Sequence, residues 1–169
     1  EKNLGFAGGN NVGIQHATGE YLVLLNTDTR VTPTFLTDVL TGFDEIPHVG
    51  CIQPKMLFMH DTDKLDSCGS LFSWTGFLTH VGNQESATDY RFGSAFPVLS
   101  VKGACMVFPR ELLKKTAGLF DADYWCYFEE TDFCMRIWLA GYECWYYPRA
   151  VIEHAMGGTS GWLMKNSFI

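Results

Sequence analysis

A short apolar run, YLVLL at 21–25, restricts the possible folds of this chain more than any other stretch, because the polar segment NTDTRV follows it at once. A continuous apolar run of this length predicts a β-strand that is buried on both faces. Acidic residues just past the carboxyl end of such a strand lie where open α/β sheets bind their ligands. The sequence therefore predicts an α/β fold with a ligand site close to Asp28.

Composition favours one domain and excludes some partners. The chain has 169 residues, of which 47% are hydrophobic and 18% charged, and this is enough for a substantial core. The formal charge of -7 and the lack of any run of Lys or Arg argue against nucleic acid as a partner. No apolar run approaches the roughly 18 residues that cross a bilayer, so no transmembrane segment is expected in this chain.

The six cysteines show neither a C-x-x-C pair nor the spacing of a zinc finger. Their even number leaves a disulfide framework open, although an apolar domain of this size has little need of one. Reduced and mostly buried thiols are the preferred interpretation. This places the domain in a reducing compartment and predicts a cytoplasmic location.

The first half of the chain alternates predicted helices and strands. We expect a helix at 11–17 closed by Gly19, and a helix after Pro33 with Thr32 as its N-cap. Five apolar residues of the second helix have the spacing of an inner face: Phe35, Leu36, Val39, Leu40 and Phe43. The stretch VGCIQPKML predicts a strand, and its Pro54 indicates a strand at the edge of a sheet.

The second half has longer irregular segments. The predicted elements there are loops over 61–96 with a hairpin at 70–81, a strand over 98–108, a helix over 110–117 and a helix over 130–140. Gly103 lies inside the predicted strand and leaves space for a neighbour. Gly141 closes the last helix, and a Gly- and Ser-rich stretch follows His154.

The stretch WCYFEETDFCMR at 125–136 places three carboxylates, Glu129, Glu130 and Asp132, among aromatic and apolar residues. Carboxylates in such a setting cost free energy unless they are hydrogen-bonded, paired or bound to metal. They either start a helix, where negative charge stabilises by about 0.3–1 kcal/mol, or belong to a functional site. This stretch alone favours helix capping over catalysis, and the two interpretations are compatible.

Five motifs in one order carry a family resemblance: NLGFAGGNNVGI, GEYLVLLNTDTRVTP, VKGACMVF, GLFDADYWCYFEETDFCMRIWLAGY and AVIEHAMGGTS. In this order they resemble the family 2 glycosyltransferases with a GT-A fold. They are especially similar to bacterial rhamnosyltransferase-like members that build polysaccharide and O-antigen chains. The resemblance implies an α/β domain with a Rossmann-like mixed sheet flanked by helices.

The resemblance also implies how the domain is divided. Members of the family begin with a strand and helix that carry much of the nucleotide-base pocket, and no such segment stands in this sequence. We therefore expect residues 1–169 to form a single partial GT-A domain, truncated at its N-terminus. Residues 1–30 would be the end of the nucleotide-binding half, and residues 31–169 the acceptor-side half.

On the donor side, NTD at 26–28 stands where the family carries its D-x-D motif. The resemblance implies that Asp28 binds Mg²⁺ or Mn²⁺ against the diphosphate, and hard oxygen ligands suit these ions. Asn26 replaces the first Asp of the motif and is expected to contact the donor, as is Gly103 through its backbone. The late His154 would complete the metal shell. Taken alone, N-T-D favours an Asx-turn, and a lone His is usually structural.

On the acceptor side, the resemblance makes Glu130 the general base that takes the proton from the attacking hydroxyl. The family has a Glu-Asp or Asp-Asp pair here, with its second member as the base. Glu130 in that second position carries its carboxylate about a bond length further out than Asp, and a shift near 1 Å matters to rate. Trp125, Glu129 and Asp123 are expected to contact the acceptor. Core packing explains most aromatic residues, and a turn explains Asp123 equally well.

The implied function is inverting transfer of a sugar from a nucleotide diphosphate sugar to a glycan or lipid-linked acceptor, in cell-surface polysaccharide synthesis. A cytoplasmic enzyme at the inner face of the membrane, peripherally attached in the intact protein, would suit such an acceptor. The alternatives are a catalytically inactive domain that binds nucleotide sugar or glycan, and a structural interaction module. Geometry separates them, because the enzyme requires Asp28 and His154 to converge while Glu130 faces the same cleft.

Overall fold

The computed structural model describes residues 3–155, in which helices pack on both faces of a mixed sheet. The strands in chain order are β1 (Tyr21–Leu25), β2 (Thr29–Val31), β3 (Val49–Phe58), β4 (Asp61–Ser67), β5 (Ser70–Phe72), β6 (Leu78–His80), β7 (Phe96–Val98), β8 (Cys105–Pro109) and β9 (Glu143–His154). Seven of them form the main sheet, in the order β1-β8-β3-β9-β2, with β4 paired to β3 and β7 paired to β9. Strands β5 and β6 form a separate hairpin.

Four α-helices accompany the sheet: α1 (Gly5–His16), α2 (Phe35–Glu45), α3 (Leu112–Lys115) and α4 (Glu129–Leu139). Alternating side chains of β8 show that the helices lie on two faces. Phe108 packs in the cluster that contains residues of α1 and α4, whereas Val107 packs in the cluster that contains residues of α2. None of the helices within 3–155 has the length and apolar character needed to cross a membrane.

Strand β3 is central, so the prediction of an edge strand was wrong. It pairs with β8 on one side and runs parallel to β9 on the other. The register of the β3–β9 pair shifts between Pro54 and Lys55. A local irregularity of this kind accommodates the missing N–H of proline, which the sequence rule for edge strands does not anticipate.

Strand β1 has the predicted bounds but not the predicted burial. Leu22 and Leu24 are buried, whereas Val23 and Leu25 are about two-fifths exposed, at 39% and 44%. Within the described residues β1 pairs only with β8. The face of β1 that carries Val23 and Leu25 is therefore partly open to solvent, and the prediction of burial on both faces was wrong.

Helix α1 begins six residues earlier than predicted and ends at His16, with Ala17 already extended. Glycine weakens helices, and Gly8 and Gly9 lie in the part of α1 that precedes the predicted helix. Tertiary packing overrides this preference, because Ala7 is fully buried in the core. At the start of the helix Gly5 has φ +69°, and a Cβ there would lie 2.5 Å from the Trp125 carbonyl oxygen. Only glycine fits so close to that loop.

Helix α2 begins after Thr34, and Thr32 donates its hydroxyl to the Val151 carbonyl instead of capping the helix. Phe35 and Val39 are buried as predicted. Leu36 is 61% exposed, however, so the apolar face is narrower than its spacing suggests.

The predicted strand over 98–108 is two strands, β7 and β8, separated by a turn over 99–104 that carries Gly103. The polar strand β4 lies inside the segment predicted as loops. The predicted hairpin corresponds to β5 and β6, and the last predicted helix corresponds to α4, after which Gly141 has φ +84°. Strand β4 was missed because pairing with β3 stabilises it, and its own polar sequence does not reveal that pairing.

The six cysteines are free thiols, and all except Cys126 are buried. Burial raises the pKa of Cys68 to about 11. The buried thiols therefore behave as apolar core groups. The Gly- and Ser-rich stretch that follows Ala155, part of the last family motif, lies outside the described residues.

Candidate active site

Asp28 and His154 come together because β2 and β9 are neighbours. Thr29 lies opposite His154 in the antiparallel pair, and the Ala155 amide donates to the Asp28 carbonyl at 2.9 Å. As a result, His154 Nε2 lies 3.4 Å from Asp28 Oδ1. Two groups far apart in sequence thus face one point at the edge of the sheet.

Asp66, at the end of β4, holds the other side of the His154 ring. Its Oδ2 lies 2.8 Å from His154 Nδ1, and Asp66 is fully buried. An ionised carboxylate only accepts, so Nδ1 is the donor in this hydrogen bond. In the neutral imidazole this leaves the lone pair of Nε2 directed towards Asp28.

Lys102 occupies the second oxygen of Asp66. Its Nζ lies 2.6 Å from Asp66 Oδ1, and its backbone N–H donates to Gln53 Oε1 at 2.6 Å. Burial alone would raise the pKa of Asp66, but the hydrogen bond from His154 and the charge of Lys102 outweigh it and lower the pKa. Asp66 is therefore an anion with both oxygens occupied, and it fixes His154 on one side and Lys102 on the other.

The turn over 99–104 lies next to both Glu130 and the segment 26–28, and we call the space at this turn the cleft. The Asn26 amide donates to the Ala104 carbonyl at 3.0 Å, which places residues 26–28 beside this turn. A Cβ built on Gly103 would lie 3.9 Å from Glu130 Cβ and 3.3 Å from the ring of Phe6. Gly103 thus leaves the space open between Glu130 and Phe6.

Glu130 has an altered acidity. Burial raises its pKa to about 7, with the charge of Glu129 acting in the same direction and the ammonium of Lys102 against it. A carboxyl with a pKa close to neutral both accepts and releases a proton near physiological pH. Perturbed acidity next to an open cleft is typical of acid–base groups in active sites.

Glu129 points into the protein. Only 3% of it is exposed, and its Oε2 has no hydrogen-bond partner within residues 3–155. Burial raises the pKa of this carboxyl too. This position does not fit the acceptor contact expected from the sequence, because an acceptor in the cleft does not reach a side chain that is almost fully covered.

The three carboxylates lie in the first turn of α4, as the helix-start interpretation predicts, but none of them caps the helix with its side chain. Helix α4 follows Phe128, whose left-handed backbone (φ 69°) precedes the first turn, and no side chain caps it. Asp132 instead binds Arg136 at 2.9 Å. Arg136 also donates to the carbonyls of Thr116, Gly118 and Leu119, so it attaches α4 to the preceding loop.

The segment 121–128, which we call the aromatic loop, lies next to the start of α1, and each of its residues is exposed. Trp125 is 59% exposed, and its carbonyl accepts the Phe6 amide at 3.0 Å. The Asp123 amide donates to Asp121 Oδ1 at 2.9 Å, so the predicted turn is present. The structure therefore leaves Trp125 and Asp123 open to solvent, with Trp125 next to Phe6.

Three residues of this site were missed in the sequence: Asp66, Lys102 and Gln53. Asp66 stands in a polar stretch predicted as loop, and Gln53 is one polar residue in an apolar strand. Gln53 is fully buried and donates to the Ser67 carbonyl at 3.0 Å. A polar residue inside VGCIQPKML was the one available signal, because a buried amide needs partners.

With the geometry described, comparison with known proteins places the chain in a family. The sequence profile described as "Glycosyl transferase family group 2" matches residues 21–163. The chain belongs to this family. It includes Asp28, Gly103, Glu130 and His154 within the matched range.

Two curated relatives of this glycosyltransferase domain have names that refer to glycan or O-antigen synthesis. It is 25% identical to the low-salt glycan biosynthesis hexosyltransferase Agl10 of Haloferax volcanii, over 79% of the chain and 43% of that protein. It is 31% identical to the O-antigen biosynthesis protein RfbC of Myxococcus xanthus, over 64% of the chain and 9% of that protein. The chain thus spans less than half of either relative.

The fold of the glycosyltransferase domain matches a solved structure. A crystal structure of GalNAc-T7 with UDP, GalNAc and Mn²⁺ superposes with a TM-score of 0.70 at 15% identity, over 91% of this chain and 31% of that one. At this identity the match concerns the fold alone. The prediction of a GT-A α/β fold, a mixed sheet flanked by helices, is confirmed.

Proposed function

We propose that this glycosyltransferase domain transfers a sugar, with inversion at the anomeric carbon, from a nucleotide diphosphate sugar to a glycan or lipid-linked acceptor. The observation that carries the proposal is the convergence of Asp28 and His154 on one point, with Glu130 next to Gly103, the residue after the Lys102 that contacts Asp66 behind His154. The names of the relatives favour cell-surface polysaccharide or O-antigen synthesis. The motif resemblance favours a rhamnosyltransferase-like member, and a lipid-linked acceptor favours action at the cytoplasmic face of the membrane.

The donor side fits a divalent cation. Adjacent ligands of one octahedral ion lie about 3 Å apart, close to the 3.4 Å between Asp28 Oδ1 and His154 Nε2. Within residues 3–155 no group of three or more His, Cys, Asp or Glu side chains could hold a metal. Diphosphate oxygens and water would therefore complete the shell. An imidazole ligand favours Mn²⁺ over Mg²⁺.

When bound, the cation neutralises the charge that develops on the departing diphosphate. The chain's own residues supply the rest of the donor site. Asp28 and His154 would hold the ion, and Asn26 lies two residues before Asp28 with its backbone N–H bonded to the Ala104 carbonyl. Gly103 allows the donor sugar to approach the backbone beside Glu130, since no side chain fills that space.

Glu130 is proposed as the general base. Its pKa near 7 allows it to be ionised at neutral pH and still to take a proton from the acceptor hydroxyl. Attack from this side, opposite the diphosphate, gives inversion. Trp125 offers an exposed ring for stacking on the acceptor, and Asp123 offers a carboxylate for its hydroxyls.

The function is tested with the intact protein and a panel of nucleotide sugars. Glu130→Gln should leave donor binding within about twofold and lower transfer by about 10²–10⁴-fold, the usual contribution of a general base. Glu111→Gln, a change of an exposed carboxylate at the start of α3, is the matched control and should leave both unchanged. Unchanged turnover of Glu130→Gln would refute the base assignment.

A second candidate, a domain that binds nucleotide sugar without turnover, is favoured by one observation. Asn26 replaces a carboxylate of the family motif, which lowers the charge available to the cation. This candidate predicts saturable donor binding by the unmodified protein, with no transfer to any acceptor and no difference between the protein and its Glu130→Gln variant.

A further inference from the structure

Asp66 lies behind the candidate site, on the side of His154 that faces away from Asp28. Its strand, β4, pairs with the end of β3, and the same end of β3 lies next to His154 in β9. The Asp66 backbone carbonyl accepts a hydrogen bond from the Asn83 side-chain amide at 2.8 Å, which fixes the backbone at Asp66. The Asp66 carboxylate therefore reaches the Nδ1 side of His154 from a backbone that is held in place.

Both carboxylate oxygens of Asp66 have a partner. Oδ2 contacts His154 Nδ1 at 2.8 Å, and Oδ1 contacts Lys102 Nζ at 2.6 Å, while the side chain has no exposed surface. A buried carboxylate is stable only when it is paired and hydrogen-bonded, and Lys102 with His154 meets that requirement. The group has no free oxygen for a cation, so its role differs from that of Asp28.

We propose that Asp66 is a positioning residue that fixes the tautomer and ring orientation of His154 so that Nε2 faces Asp28, with Lys102 holding its second oxygen. This inference rests on the proposed function, because it assigns the purpose of the pair to metal binding. Histidine ligands commonly donate their other ring N–H to a carboxylate, and loss of that partner typically costs 10–100-fold in metal affinity or activity. Free imidazole in water favours the tautomer with hydrogen on Nε2, so the Asp66 contact is needed to hold the hydrogen of His154 on Nδ1.

Asp66→Asn is the sharpest variant because it keeps the shape and changes the hydrogen bonding. One amide oxygen replaces two carboxylate oxygens, and two donors, His154 Nδ1 and Lys102 Nζ, compete for it. When the oxygen serves Lys102, the amide NH₂ faces Nδ1 and stabilises the tautomer with hydrogen on Nε2. That tautomer cannot ligate a cation, so the variant should bind metal more weakly.

The first measurement is the ¹⁵N spectrum of the imidazoles in the intact protein labelled with ¹⁵N-histidine. His154→Gln identifies the His154 signals by their loss. We expect the neutral His154 of the unmodified protein to carry its proton on Nδ1, and Asp66→Asn to show the other tautomer or a mixture. A proton on Nε2 in the unmodified protein would overturn the inference without any variant, so the test does not depend on Asp66→Asn folding.

The second measurement is the affinity for Mn²⁺ in the presence of UDP, GDP or dTDP in turn. Asp66→Asn should lower this affinity 10–100-fold, and Asp63→Asn, an exposed residue of the same strand, should leave it within twofold. In the His154→Gln background, Asp66→Asn should add less than twofold, because the residue acts through His154. An unchanged affinity in Asp66→Asn, or an equal loss in both backgrounds, would overturn the inference.

The two failures are distinguishable. If the unmodified protein binds no Mn²⁺ with any of these diphosphates, the proposed function fails at the donor site. The ¹⁵N spectra then still decide whether Asp66 sets the tautomer of His154. If the unmodified protein binds Mn²⁺ and Asp66→Asn binds it equally well, the proposed function stands and the positioning role is wrong.

Discussion

The two sides of the cleft are built differently. On one side Asp28 directly precedes β2 and His154 ends β9, the strand paired with β2; the fully buried Asp66 lies behind them, and only 6% of His154 is exposed. On the other side the aromatic loop is exposed throughout, and Tyr127 and Phe128 have positive φ angles of 75° and 69°. The strand side is preorganised for one ligand geometry, whereas a loop of this kind suits a partner that differs from protein to protein.

The difference implies that changes on the strand side should cost more activity than changes in the aromatic loop. The largest loss is expected for Asp28→Ala, because it removes one of the two proposed protein ligands of the cation. Metal-dependent donor binding should become undetectable and transfer should fall by about 10³-fold or more. The control is Asp44→Ala, a change of an exposed residue of α2. Isothermal titration with Mn²⁺ and donor measures binding, and full activity in Asp28→Ala would break the comparison.

A smaller loss is expected for Gly103→Val, which fills the space between the two sides. Its Cβ alone would meet the Phe6 ring at 3.3 Å and approach Glu130, so the branched side chain shifts one of them. A misplacement near 1 Å costs about 10²-fold in rate. Steady-state kinetics should show this loss with a far-UV spectrum unchanged from that of the parent. Wild-type turnover in a folded Gly103→Val protein would show that the cleft does not pass this residue.

The pH profile sharpens the comparison at the boundary between the sides. Because burial raises the pKa of Glu130 to about 7, the base is protonated below neutral pH. The transfer rate should therefore rise about tenfold per pH unit up to about 7 and level off above it. The charge of Glu129 raises the pKa of Glu130, and the charge of Lys102 lowers it. Glu129→Gln should therefore move the midpoint of the pH–rate profile to lower pH. A profile centred near the pKa of an ordinary Glu, about 4.3, would contradict the burial of Glu130.

In the aromatic loop the expected effect is modest. Trp125→Ala should raise the acceptor KM about three- to tenfold, the range of roughly 0.5–1.5 kcal/mol for an aromatic contact, and leave the donor KM unchanged. Trp74→Ala is a matched control, because Trp74 is 97% exposed on the β5–β6 hairpin. Equal effects of the two substitutions would remove the acceptor role of Trp125.

The smallest effect concerns stability. The folded protein binds the Glu130 proton more tightly than the unfolded chain does, since the pKa rises from 4.5 to about 7 on folding. Stability from this group is complete below about pH 4.5 and is lost as pH rises through about 7. Glu130→Gln should therefore increase the free energy of unfolding by about 1–3 kcal/mol at pH 8 and by little at pH 4. Urea unfolding at the two pH values measures the difference, and equal values would contradict the raised pKa.

The sequence was a good guide where a motif is local. The strand before Asp28 and the start of α4 near Glu130 were predicted from short stretches, whereas His154 was singled out by the family resemblance. The GT-A fold was predicted from the order of the motifs. Such features depend on neighbours in the chain, and the chain displays them directly.

Long-range pairing escaped prediction. Asp66 and Lys102 gain their roles only when β4 pairs with β3 and when the turn before β8 lies against Gln53. Pro54 in a central strand and the glycine-rich start of α1 were misjudged for the same reason, because packing outweighed local preference. A buried polar network is a property of the tertiary structure, which no single stretch reveals.

The central claim is that Asp28 and His154 hold one cation on the strand side of the cleft. Anomalous diffraction at the manganese edge, from crystals of the intact protein grown with Mn²⁺ and a nucleoside diphosphate, tests it most directly. We expect one peak within about 2.3 Å of both Asp28 Oδ1 and His154 Nε2, with diphosphate oxygens on its open side. A bound diphosphate whose Mn²⁺ peak touches neither residue would contradict the account.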